Sequence, residues 1–139
     1  MEDQQKLEEL VNEINMYKQQ AEIIQNQIDM IRSSLTEVEV LNSTLDDLKE
    51  KKSVEAFVPL GAGSFMKGEI NNTDEVIMSI GAGVAVTKDI AGAKEIISSQ
   101  KKELQDNLDK MLANLQQVSD IIGQLSPQAE QLMAQTQAR

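Results

Sequence analysis

The feature that most constrains this chain is a heptad pattern of apolar residues that occurs twice, once near each end. From Gln5 to Glu50 the sequence contains no Gly or Pro, and large apolar side chains recur at alternating spacings of three and four residues. This spacing is typical of the seam of a coiled coil. The first stripe comprises Leu7, Leu10, Ile14, Tyr17, Ala21, Ile24, Ile28, Ile31, Leu35 and Val38, and continues in a shifted phase at Leu41, Leu45 and Leu48. Such a shift locally overwinds a supercoil without ending it.

The second heptad stripe lies between about Asp89 and Ala134. Lys101 is the one residue that interrupts its apolar character. The stripe comprises Ile97, Lys101, Leu104, Leu108, Met111, Leu115, Val118, Ile122, Leu125, Ala129 and Leu132. The two stripes therefore predict two long helices, each burying one face against a partner.

The two stripes can be aligned as an antiparallel pair within one chain. The residue numbers of Leu7 and Leu132 sum to 139, and the other opposed residues of the two stripes have the same sum as far as Val38. Beyond Val38 the sum is lower by one. A parallel dimer through either helix is the alternative, ranked lower because turn signals between the stripes can reverse the chain. The pattern predicts a mostly α fold: a long antiparallel two-helix coiled coil over residues 1–50 and 89–139, with the insert 51–88 at the end opposite the termini.

The insert between the stripes repeats itself and changes periodicity from seven to two. The segment Val58–Gly63 is echoed by Met78–Gly83, and each copy ends in Gly-Ala-Gly. A run with apolar residues at every second position on each side of a glycine turn predicts a β-hairpin. The predicted strands are about Val54–Leu60, Ser64–Ile70, Glu75–Ile80 and Val84–Lys88. Pro59 cannot donate to a strand ladder, so it is expected at an edge or a bulge.

The glycines of the insert do not indicate a phosphate site. A phosphate-binding loop has four residues between its glycines, then Lys and Ser or Thr, and a dinucleotide fingerprint has a third glycine and a helix. Here a strand follows each turn, and the glycines are explained by the positive φ of a tight turn.

Two hairpins alone leave open strand edges and uncovered apolar faces, which recruit further strands. We therefore expect several chains to pool their hairpins into an oligomeric β-barrel. The alternative is a pair of hairpins folded onto their own coiled coil. The candidate assembly residues are Val54, Phe57, Val58, Leu60, Phe65, Met66, Ile70, Val76, Met78, Ile80, Val84 and Val86.

Composition removes several classes of function. The net charge of -10 argues against nucleic-acid binding, and no apolar run is long enough to span a bilayer. The acidic amino terminus is the reverse of a secretory signal, so a cytoplasmic location is expected. His and Cys are both absent, which removes the commonest general base, thiol chemistry and the usual metal ligands. We expect no enzyme activity, no metal and no cofactor.

The insert resembles a known family. The segment Phe57–Gly68 is similar to the first hairpin of prefoldin alpha-class subunits, and Ile80–Lys88 is similar to their second hairpin. The flanking helices match the coiled coils of the family, and the short chain resembles the archaeal form. The resemblance implies an ATP-independent chaperone subunit in a hetero-hexamer of two alpha-class and four beta-class subunits. It further implies capture of non-native polypeptides at the coiled-coil tips and delivery to a group II chaperonin. A structural, filament-forming assembly of the same fold is the alternative.

The paired termini are the predicted place for client binding, because coiled-coil ends fray and can expose seam residues. The candidate client-binding residues are Leu7, Leu10, Val11, Ile14, Leu125, Ala129, Leu132 and Met133. Two interpretations of Ser126 and Pro127 stay open: a kink in a continuous helix, or a Ser126 cap on a fresh short helix.

Overall fold

A computed structural model describes residues 2–137. Its elements in chain order are α1 (Glu2–Leu48), β1 (Val54–Gly61), β2 (Ser64–Ile70), β3 (Glu75–Gly81), β4 (Val84–Asp89) and α2 (Ile90–Gln137). The strands form two separate antiparallel hairpins, which we name hairpin 1 (β1 and β2) and hairpin 2 (β3 and β4). The predicted fold of two long helices with two antiparallel hairpins between them is confirmed.

The chain divides into two compact units. The first unit combines α1 as far as Ser34 with α2 from Leu104 onward. Its buried apolar side chains all lie on the predicted stripes: Ile14, Ile28, Leu108, Val118 and Ala129. Leu10 and Leu132 line the same shallow groove, together with Gln128. This proximity agrees with an antiparallel pairing of the two helical segments, in which Leu10 faces Ala129.

The second unit spans Leu35–Glu103 and has a core made by both helices and one hairpin. Its buried apolar side chains are Leu45 of α1, Met78 of β3, and Ile90, Ala93 and Ile97 of α2. Leu45 therefore shares a core with Ala93, the residue that the antiparallel alignment places opposite it. Met78 closes the side of this core that a two-helix seam alone leaves open.

The Gly-Ala-Gly sequences form tight two-residue turns. In hairpin 1 the two central residues, Ala62 and Gly63, have φ of 51° and 78°, and Gly61 before them has φ of 114°. Positive φ at both central residues is what a type I′ hairpin turn requires. The strand pairing shifts between Pro59 and Gly61, so Pro59 lies beside a bulge, one of the two places expected for it. Hairpin 2 repeats the geometry at Ala82 and Gly83, with φ of 53° and 75°.

Short polar contacts mark where helices and strands join. The carboxylate of Asp89 accepts a hydrogen bond from the backbone N–H of Gly92 and so caps the amino end of α2. Between the hairpins, the buried Thr73 hydroxyl donates to the carbonyl of Lys51, which lies in the link from α1 to β1. Asp74 donates its backbone N–H to the side chain of Asn72 at 3.1 Å. The two links are thus tied together by Thr73.

Helix α2 continues through Pro127, which lies inside it. Ala129, two residues after the proline, is buried, so the seam also continues there. Of the two interpretations, the continuous helix is the one observed, and a fresh helix capped by Ser126 is not formed.

Candidate assembly and client-binding surfaces

Hairpin 1 carries large apolar side chains on both of its faces. The pairing places Val54, Ala56 and Val58 of β1 on one face, opposite Ile70, Gly68 and Met66 of β2. The other face carries Phe57 and, on β2, Phe65. Within the described residues, the buried core of the second unit contains no side chain from hairpin 1. Both faces therefore remain open to a partner.

The assembly candidates of hairpin 1 and the turns are accordingly accessible. Phe57, Val58, Leu60, Phe65, Met66, Ile70, Ile80 and Val84 are exposed, and Val54 is half-buried. An exposed set of large apolar side chains on one short segment is unusual for a chain that acts alone and marks an interaction surface.

Hairpin 2 differs from hairpin 1, although the two share a turn sequence. Its inner face packs on the helices of its own chain: Met78 is buried in the core, and Val76 and Val86 lie against it. Three of the assembly candidates are therefore already covered within the chain. On the outer face Ile77 is exposed, and sequence reasoning missed it. Its place in an alternating strand, one residue before Met78, was the signal that could have identified it.

The client-binding candidates belong to two groups. Ile14 and Ala129 are buried in the seam, and Leu7, Leu10, Leu125 and Leu132 are half-buried there. Val11 and Met133 are 37% and 44% exposed, so they are accessible while the helices stay paired. The seam residues become accessible only when the helix ends separate.

Charged side chains of the second unit form surface ion pairs. The ammonium of Lys101 lies 3.8 Å from a carboxylate oxygen of Glu39, and Lys94 pairs with Asp46. Lys101 is thus exposed at the point where the apolar stripe is interrupted, and it lines a groove with Val38 and Ile97. Exposed pairs of this kind contribute little stability.

Within residues 2–137 no group of His, Cys, Asp or Glu has the arrangement of a metal site. In the same range, neither helix combines the length and apolar character needed to cross a membrane.

The family model described as Prefoldin subunit matches residues 17–135. The chain belongs to the prefoldin family. It is 66% identical over 137 residues to Prefoldin subunit alpha of Methanobrevibacter smithii, a match that covers 99% of this chain and 94% of that one. It is 31% identical over 128 residues to Prefoldin subunit alpha of Pyrococcus horikoshii, covering 91% and 86%. The predicted resemblance to archaeal alpha-class prefoldin subunits is confirmed.

A solved structure shows the same fold. A filamentous prefoldin from Methanocaldococcus jannaschii, determined by cryo-electron microscopy, aligns with a TM-score of 0.54 and 20% identity over 88% of this chain and 97% of that one. Prefoldins are a chaperone family, so the chain is a prefoldin chaperone subunit.

Proposed function

We propose that this chain is the alpha-class subunit of a cytosolic, ATP-independent hexameric prefoldin, with two alpha-class and four beta-class subunits. In this proposal the hairpins assemble the hexamer, and the helix ends hold non-native polypeptide and pass it to a group II chaperonin. The observation that carries the proposal is hairpin 1, whose apolar faces are uncovered in a chain of the prefoldin family.

Hairpin 1 supports assembly because its exposed apolar side chains contribute no burial free energy until a partner covers them. Phe57 and Phe65 lie on the same face, and each would contribute a large apolar area when covered. Strand edges that are free on both sides of the hairpin can pair with strands of other subunits. Closing such strands into a barrel removes the edges altogether.

The helix ends support client holding because accessible and half-buried apolar residues meet there. Val11 and Met133 offer exposed apolar contacts, and Met133 has a flexible, polarizable side chain that adapts to varied partners. Each contact is weak, and several subunits acting on one client raise the effective affinity. Release then depends on competition from the next chaperone.

The assembly step is tested by mixing the chain with a beta-class subunit and measuring mass by light scattering. The double variant Phe57→Thr/Phe65→Thr keeps strand propensity and should fail to form a closed hexamer. The matched control Val40→Gln/Leu112→Gln replaces two exposed apolar residues of the helices and should assemble normally. Particles that grow without limit as concentration rises would instead indicate the filament-forming alternative.

The holding step is tested by suppression of aggregation of a denatured protein by the assembled complex. Val11→Gln/Met133→Gln should weaken suppression without changing the mass of the complex. Val40→Gln alters an exposed valine elsewhere on α1 and should leave suppression unchanged. Transfer of the held protein to a group II chaperonin, followed by its refolding, tests delivery. Full suppression by the Val11/Met133 variant would contradict client binding at the helix ends.

A further inference from the structure

Helix α1 carries an exposed row of large apolar side chains that does not belong to the seam. Met16, Ile23 and Met30 are 53%, 58% and 69% exposed and follow one another at heptad spacing. Residues seven apart lie on the same line of a helix, about 10 Å apart at a rise of 1.5 Å per residue. We name these three residues the α1 stripe. All of them lie in the first unit.

At helical spacings of three and four residues, the α1 stripe is bordered mainly by uncharged side chains, most of them amides. The helical neighbours of Ile23 at three and four residues are all amides: Gln19, Gln20, Asn26 and Gln27, and all are exposed. Met30 has Asn26, Gln27, Ser33 and Ser34 in the same relation. Around Met16 the only charged neighbour of this kind is Glu13. Since 26% of all residues in the chain are charged, the border of the stripe has fewer charges than the average surface of this protein.

The stripe is too small to hold a second folded copy by itself. The three exposed fractions correspond to roughly 350 Å² of accessible area, less than half of the about 800 Å² that each partner contributes to a stable interface. An extended polypeptide is a better match. The stripe is about 20 Å long, the length of roughly six or seven extended residues.

The chemistry of the border agrees with that occupant. A non-native segment brings apolar side chains together with backbone N–H and C=O groups that lack partners. Asn and Gln side chains both donate and accept hydrogen bonds, so they can satisfy either kind of backbone group. The charged residues next to the stripe, Glu13, Glu22 and Asp29, are acidic and disfavour acidic segments.

We propose that the α1 stripe is a second client-binding surface, which holds extended apolar segments of neutral or basic non-native polypeptide. The proposal rests on the chaperone function proposed above and adds a binding site on the side of α1, separate from Val11 and Met133. The flexible side chains of Met16 and Met30 accommodate different client sequences.

The test uses the complex with a beta-class subunit and, as probe, reduced and alkylated lysozyme, a basic unfolded protein. The triple variant Met16→Gln/Ile23→Gln/Met30→Gln should bind the probe at least about fivefold more weakly, since apolar burial at the stripe is lost. The matched control Val40→Gln/Leu112→Gln alters exposed apolar residues elsewhere and should bind as the wild type does.

Site-specific crosslinking provides a second measurement, because the chain contains no Cys of its own. A benzophenone attached to Ile23→Cys should crosslink to the probe, and the same group on Gln25→Cys, two residues further around the helix, should crosslink much less. Unchanged affinity of the triple variant, or equal crosslinking from both positions, would overturn the proposal.

The remaining outcomes separate this proposal from the one on which it rests. A triple variant that loses assembly, seen as a lower mass in light scattering, would identify the stripe as a subunit contact and refute client binding there. Binding that depends on Val11 and Met133 but not on the stripe would leave the chaperone proposal standing and refute this one. A wild-type complex that does not bind the probe would refute both.

Discussion

The carboxylate of Asp89 accepts a hydrogen bond of 2.7 Å from the backbone N–H of Gly92, at the junction of β4 and α2. A side chain on residue 92 would interfere with this bond, since an added Cβ would lie 2.8 Å from the same carboxylate oxygen. The hydrogen bond that caps α2 therefore depends on both the carboxylate of Asp89 and the absence of a side chain at Gly92.

We expect Asp89→Ala to lower the free energy of unfolding by about 1 kcal/mol, since one amino-terminal N–H of α2 loses its acceptor. Asp89→Ser retains an acceptor and should lose less. Gly92→Ala should stabilise the Asp89→Ala background by roughly the 1 kcal/mol difference in helix propensity, but not the wild type. Thermal unfolding followed by circular dichroism measures all four variants. If Gly92→Ala changed the stability equally in both backgrounds, Asp89 and Gly92 would not depend on each other.

Thr73→Val should destabilise the links around the hairpins. The substitution keeps the shape of the side chain but removes the donor to the carbonyl of Lys51, at a cost of about 1 kcal/mol or more. Amide hydrogen exchange in residues 49–53 and 71–75 should rise locally. Thr87→Val, at an exposed strand position, serves as the control and should have little effect. Equal exchange in the two variants would count against a structural role for this hydrogen bond.

Ile28→Ala should be among the most destabilising single substitutions in the first unit. Ile28 is 0% exposed, and truncation of such a side chain costs about 2–5 kcal/mol through lost burial and the remaining cavity. Ile23→Ala, on the outer side of the same helix, should change stability by no more than about 0.5 kcal/mol. Denaturant unfolding of the two variants gives the comparison directly. Similar losses for both would mean that the seam does not determine the stability of this unit.

Ala62→Asn should stabilise hairpin 1. Ala62 has a φ of 51°, a left-handed conformation that disfavours residues with a Cβ but that Asn tolerates well. We expect a gain of about 0.5 to 1 kcal/mol, seen as slower amide exchange in β1 and β2. Ala56→Asn, at a regular strand position, should have the opposite effect. Faster exchange in Ala62→Asn would contradict the turn geometry.

The sequence predicts those features that depend on a local rule. Heptad spacing identifies Ile14, Ile28 and Val118 as seam residues because the period of a helix fixes which side chains share a face. The register shift beside Pro59 is one that a residue without an N–H tolerates, but hairpin 2 has the same shift at Ser79, so the shift accompanies the turn and not the proline. Lys101 interrupts the stripe, and the structure places it at the surface with Glu39.

Features that depend on tertiary packing could not be predicted in this way. The two hairpins have the same turn sequence, yet Met78 is buried on the helices and Val58 is exposed. That difference arises because a face of hairpin 2 packs against Leu45 and Ile97. The residue pattern of either hairpin does not predict which one will pack on the helices. The exposure of Met16, Ile23 and Met30 is likewise not predicted, because the heptad pattern identifies the buried line of a helix and does not say which other lines carry apolar residues.

The unequal packing of the two hairpins has a consequence for the life of the subunit before it meets its partners. Hairpin 2 shares a core with the helices, so we expect it to be ordered once they are. Hairpin 1 has only its own strand pairing, which is marginal in water, so its order depends on the concentration of other subunits. We therefore expect an unassembled copy to display Phe57 and Phe65 on a segment that proteases cleave more readily than the rest of the chain. In the assembly that we propose, hairpin 1 would be covered, so its exposure would distinguish unassembled subunits from assembled ones.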